Sequence, residues 1–208
     1  HPNSVLVRNR AAAVYLVCGE TDKSIAQCEA ARRMNPLDSK KAATFTYTIL
    51  SGALYLARRF EDALSLAARS IPVATRRKEP IALSRLLRVK INLLNDAGQY
   101  EAALKSCDEV RALAAADEPP ALKEAKYWLV TGLICQNLGR HDEAASRFQK
   151  LVAYCRECRE RGDGSVRNYE MRGHSLLGTQ ALRRADLREA RSQLEKGLAF
   201  EDIKGWRR

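Results

Sequence analysis

The chain has 208 residues, 36 of them Lys or Arg against 25 Asp or Glu, which gives a formal charge of +11 and a pI near 9.6. Hydrophobic residues make up 46%, Gly and Pro number 11 and 6, and no apolar run reaches the roughly 18–20 residues of a membrane span. This excludes a transmembrane helical protein, a collagen-like or low-complexity chain and a wholly disordered one.

In chain order the sequence alternates apolar, helix-like stretches with short polar breaks, each break opening a second helix-like stretch. The first stretch starts at Val5 and breaks at CGETDKSIAQC (18–28). The second starts at Thr44 and breaks at ARRFEDALSLA (57–67), and the third starts at Ser84 and breaks at AGQYEAALKSC (97–107). The fourth starts at Ala125 and breaks at LGRHDEAASRF (138–148), and the fifth starts at Met171 and breaks at RADLREARSQL (184–194). Loops are expected at Pro36–Lys41, Lys78–Pro80, Asp117–Pro120 and Arg161–Arg167, each marked by Pro, Gly or charge.

Aligning the breaks puts Ser24, Ala63, Ala103, Ala144 and Ala190 at one equivalent position, with separations of 39, 40, 41 and 46 residues. A self-similarity of that period is the mark of a helical repeat array. A small residue recurs because two helices approach closely only where small side chains face each other. Each helix pair has an apolar face it cannot bury alone, so successive pairs must stack.

These features resemble the tetratricopeptide repeat family. The fourth unit carries Trp128 at the large-aromatic position, Gly132 at the close-packing position, Gly139 at the turn, Ala144 opening the second helix and Phe148 one turn on. The second offers Tyr47, Leu54, Phe60 and Ala63; the first Ala12, Tyr15, Gly19, Ala31 and Pro36; the third Leu94, Gly98, Tyr100 and Ala103; the fifth Gly178, Leu187 and Ala190. The resemblance implies an all-α, right-handed superhelical solenoid of antiparallel helix pairs, one array over residues 1–208. The period exceeds the family's 34 residues, so either the helices or the loops between units are longer. The chain starts at His1 and stops soon after its fifth unit, and a piece of a longer protein is the expectation.

Chemistry-bearing motifs are scarce. His1, His141 and His174 read as terminus, turn and packing residue, and GDGS (162–165) lacks the Lys and the helix of a phosphate loop. Cys155 and Cys158 form a CxxC without a second pair to complete a zinc site and without a βαβ context for redox work. The six cysteines are too sparse for a disulfide framework, which points to an intracellular, reducing compartment. No catalytic residue, metal or cofactor is expected, and the chain is not expected to be an enzyme.

The family resemblance implies a concave face lined by the first helix of each unit. Carried over to this sequence, the positions facing it include Asn9, Arg10, Thr48, Ile49, Asp96 and Leu129. The proposed contacts are Phe45, Tyr55, Arg85, Arg88, Asn92, Asn95, Lys126 and Arg172. Arg side chains there can hold carboxylates in bidentate fashion, and Asn can pair with peptide backbone, so the expected partner is a protein or peptide, acidic in part, within a larger assembly. The two-carboxylate clamp of chaperone-binding members is incomplete, because Val130 stands where Asn is needed and Leu176 where Arg is needed. The function expected is a non-catalytic scaffold or adaptor. The alternatives are a basic solenoid that binds RNA, or the sensory or regulatory arm of a larger enzyme or transcription regulator.

Overall fold

A computed structural model describes residues 4–36, 44–113 and 119–200. Those residues form α-helices joined by short turns, with one 3₁₀ turn and no strand among them. The helices are α1 (Val5–Val17), α2 (Thr21–Met34), α3 (Thr44–Leu56), α4 (Phe60–Arg76), α5 (Pro80–Asp96), α6 (Tyr100–Ala112), α7 (Pro120–Asn137), α8 (His141–Glu160), α9 (Arg167–Arg183) and α10 (Leu187–Leu198). None of them is long and apolar enough to cross a membrane.

Each expected break is a three-residue turn whose middle residue is left-handed: Gly19 (φ 78°), Arg58 (60°), Gly98 (72°), Gly139 (78°) and Ala185 (56°). In every case the following amide reaches back five residues, as Glu20 N to the Tyr15 carbonyl at 2.9 Å and Arg140 N to that of Cys135 at 2.9 Å. That bond satisfies carbonyls orphaned at the end of the first helix. The same residue's carbonyl then accepts the first bond of the second helix, from Ser24, Ala63, Ala103, Ala144 and Ala190 respectively. The recurring small residue is therefore fixed by the turn, one helical turn in. All five lie at or below 1% exposure. Every second helix also carries an acid in its first turn (Asp22, Glu61, Glu101, Asp142 or Glu189), where it meets the positive end of the helix dipole.

Among the described residues of the last three units, extra residues of the long period go into helix. Helices α5, α7 and α9 start at Pro80, Pro120 and Arg167, about one turn before the expected Ser84, Ala125 and Met171. Pro at the first helical position supplies a preset φ and lacks an N–H that would have no partner there anyway, which sets the early start of α5 and α7. The expected loop at Lys78–Pro80 is a tight turn of the kind just described, with Lys78 at φ 54° and Glu79 N bonded to the Ala74 carbonyl at 3.0 Å. Most of Pro36–Lys41, part of Asp117–Pro120, His1 and the closing Gly205–Arg208 lie outside the described residues.

The chain divides into two compact units, residues 1–117 and 118–208. In the first, α1/α2, α3/α4 and α5/α6 are antiparallel pairs, α2 packs on α3 and α4 on α5, and the first helices α1, α3 and α5 are successive neighbours. Its core gathers Ala12, Cys28, Tyr47, Leu50, Leu54, Ala63, Leu66 and Leu93. The buried Ser24 hydroxyl donates to the Ala12 carbonyl at 2.8 Å, which lets α1 and α2 touch through a small polar residue without leaving it unsatisfied.

In the second unit α7/α8 and α9/α10 are the pairs, with α8 packed on α9. Its core is Ala125, Leu129, Leu151, Cys155, Cys158 and Val166. The turn after α8 is shaped by the Asp163 carboxylate, which accepts from Ser165 N at 2.9 Å. The Ser165 bonds hold that carboxyl below its ordinary value. Val166, fully buried in the short 3₁₀ turn, anchors the start of α9.

Candidate interaction face

The first helices of the first unit run side by side and in the same direction. Asn9 and Thr46 meet near the N-terminal ends of α1 and α3, and Gly52 lies against Leu16 toward their C-terminal ends. Pairing between α3 and α5 keeps the same order. The Arg85 guanidinium lies 5.3 Å from the centroid of the Phe45 ring, and the Tyr55 hydroxyl donates to Asp96 Oδ2 at 2.9 Å.

Six of the eight expected contacts fall on these helices. Phe45 keeps 40% of its surface exposed although its ring backs the Arg85 cation. Tyr55 is half-buried, with its ring 5.7 Å from that of Phe60. Burial first, and then the bond and charge of Asp96, push the Tyr55 hydroxyl above its ordinary pKa. Arg85 and Asn92 are exposed on α5, and Arg88 and Asn95 are half-buried there. Lys126 and Arg172 lie in the second unit, the first half-buried on α7 and the second exposed on α9, two helices that touch each other.

Several other positions expected on this face pack between helices instead. Asn9 is 3% exposed and accepts from the Thr46 hydroxyl at 2.9 Å, so it locks α1 to α3. Thr48 and Ile49 are buried, and so is Leu129 in the second unit. Gln136 accepts from Gln180 Nε2 at 2.7 Å, tying α7 to α9. Asp96, expected on this face, adds a bond to Tyr55 that its position alone does not specify. Its signal is the repeat itself: Phe45 and Arg85 stand 40 residues apart, the step between these two units, and Asp96 is one residue past Asn95, the position equivalent to Tyr55, so matching stretches of successive units become neighbours.

The chemistry-bearing residues elsewhere are packing residues, His141 excepted. Cys155 and Cys158 are buried in α8, and burial, with Glu170 as the second cause, pushes the Cys155 thiol up to about 12. Arg161 Nη2 lies 3.6 Å from Cys158 Sγ. The nearby Glu170, 1% exposed, is held by Arg159 Nε at 3.1 Å, an ion pair that fastens α9 to α8. His174 is buried with Nδ1 2.7 Å from Gln193 Oε1, joining α9 to α10, while His141 is exposed at the start of α8. Among the described residues no three His, Cys, Asp or Glu side chains are grouped to hold a metal ion.

No protein-family model and no curated protein matches this sequence. Solved structures do resemble the fold. MamA from Desulfovibrio magneticus RS-1, residues 41 to the end, superposes with a TM-score of 0.66 at 18% identity, over 95% of this chain and 94% of that one. A Podosopora anserina protein described as a kinesin light chain with nearly identical TPR-like repeats gives a TM-score of 0.73 at 13% identity, over 97% and 96% of the two chains. With tight left-handed turns, small residues one turn into each second helix and these structural neighbours, the chain has an all-α, TPR-like repeat fold.

Proposed function

We propose that this chain is a non-catalytic interaction scaffold that holds an extended segment of a partner protein along α1, α3 and α5, within a larger assembly. The contacts on this face are Phe45, Tyr55, Arg85, Arg88, Asn92 and Asn95, while Lys126 and Arg172 are candidate contacts of the second unit taken by itself. The observation that carries the reading is the exposed Phe45 ring backed by Arg85 on an open helix face. An aromatic plane and a guanidinium that can grip a carboxylate are the side chains that dominate protein interfaces. A reducing compartment suits six cysteines that are all free thiols.

The test is to pan a displayed library of random dodecapeptides against the chain. Binders should be recovered, and the double variant Phe45→Ala, Arg85→Glu should lose them at least tenfold with unchanged helical circular dichroism. Binders indifferent to that variant would remove this face from consideration.

A further inference from the structure

Within its helices the face formed by α1, α3 and α5 has two unlike ends, with Arg58 of the turn after α3 a cation that acts on Tyr55 at the second. Its cations, Arg10, Arg85 and Arg88, lie in the N-terminal half of α1 or within the first nine residues of α5. Helix α3 carries no charged residue, and Asp96, the last residue of α5, is the single acid on the three helices. The helix dipoles act in the same sense. Because the three helices run parallel, their positive N-terminal ends lie together with the cations, and their negative C-terminal ends lie with Asp96.

Both ends are built jointly by α3 and α5, through Phe45–Arg85 at one and Tyr55–Asp96 at the other. The pairs are ten residues apart on α3 and eleven on α5. At 1.5 Å per helical residue that is about 15–17 Å, the length of about five residues of extended peptide. Between them Gly52 leaves α3 without a side chain, and the exposed Asn92 offers both a donor and an acceptor to a peptide backbone.

We infer that this face selects an extended peptide carrying a carboxylate at the Phe45–Arg85 end and a Lys or Arg about five residues away at the Tyr55–Asp96 end. Asp96 takes the Tyr55 hydroxyl on one oxygen, and a carboxylate has lone pairs enough to accept a peptide cation as well. Tyr55 holds the acid in place and supplies ring surface for the aliphatic stem of that cation. The inference rests on the reading that this face holds a peptide, and it adds what that peptide must carry.

The experiment uses acetylated, amidated decapeptides of one neutral background, with Glu and Lys five residues apart, with Glu at both places, with Lys at both places, or with Glu and Lys adjacent. Fluorescence anisotropy at low salt should rank the spaced Glu/Lys peptide about three- to fivefold above the other three, the factor that exposed ion pairs supply. In Asp96→Lys, a change that the C-terminal end of α5 accommodates, the doubly acidic peptide should become the tightest. Equal binding of all four peptides, unchanged in Asp96→Lys, would overturn the inference and leave the peptide-binding reading standing. Failure of all four to bind would overturn it too, and the Phe45→Ala, Arg85→Glu panning then decides separately whether the face binds peptides.

Discussion

Ser51 shows how finely single side chains are set in this fold. It occupies the close-packing position of its unit, equivalent to Ala12 in the first and Gly132 in the fourth, and it is fully buried. Other buried serines find partners: Ser24 donates to the Ala12 carbonyl at 2.8 Å and Ser70 to that of Leu66 at 2.7 Å. The Ser51 hydroxyl has no hydrogen-bond partner among the described residues. Burying an unpaired hydroxyl costs about 1–3 kcal/mol, and deleting it removes that cost for the loss of a single heavy atom. Ser51→Ala should therefore stabilise the protein by about 1 kcal/mol, seen as a higher urea midpoint at unchanged m-value. A lower midpoint would mean that the hydroxyl contributes to the packing of α3.

At the scale of the helix, the two pairs α7/α8 and α9/α10 show size complementarity between two positions sixteen residues apart. Gly132 faces Phe148, and a Cβ added at Gly132 would stand 2.8 Å from Phe148 Cδ1. Gly178 faces Leu194 in the same way, with an added Cβ 2.8 Å from Leu194 Cγ, while Ala12 and Cys28 share one core cluster. Gly132→Ala should thus destabilise the protein by about 1–3 kcal/mol through overpacking, and adding Phe148→Leu should recover part of that loss, which a double-mutant cycle of thermal unfolding would measure.

These pairings explain what the sequence made legible. The turn residues and the small residue one turn later depend on local spacing and recur, and Phe148 opposite Gly132 follows the same spacing in one pair. The starts of α5, α7 and α9 were less legible, because the family pattern marks where helices touch rather than where they begin. On the candidate face, Phe45 beside Arg85 follows from the period alone. The burial of Asn9, Thr48 and Ile49 does not, because which residues close against a neighbour depends on helix crossing angle, and spacing along one helix does not encode that.

At the scale of the whole molecule, repeat packing decides the chemistry of the thiols. Five of the six cysteines, Cys28 and Cys107 in the first unit and Cys135, Cys155 and Cys158 in the second, are buried, and Cys18 is exposed at the end of α1. Burial pushes Cys28 and Cys155 from an ordinary 9.0 up to about 12, since a thiolate loses its hydration inside a core. At pH 8 an Ellman titration of the native protein should accordingly count one fast thiol, and six after denaturation, with Cys18→Ser abolishing the fast one. The same burial couples stability to alkali. An acid whose folded pKa is raised keeps its full contribution below the unfolded value and loses it as pH rises toward the folded one. Unfolding free energy should therefore decline as pH climbs from about 9 toward 12, and Cys28→Ala with Cys155→Ala should flatten that decline. Fast labelling of Cys155 or Cys158 in the native protein would show instead that α8 opens far more readily than its packing against α7 and α9 implies, and would return the CxxC to consideration as a reactive pair.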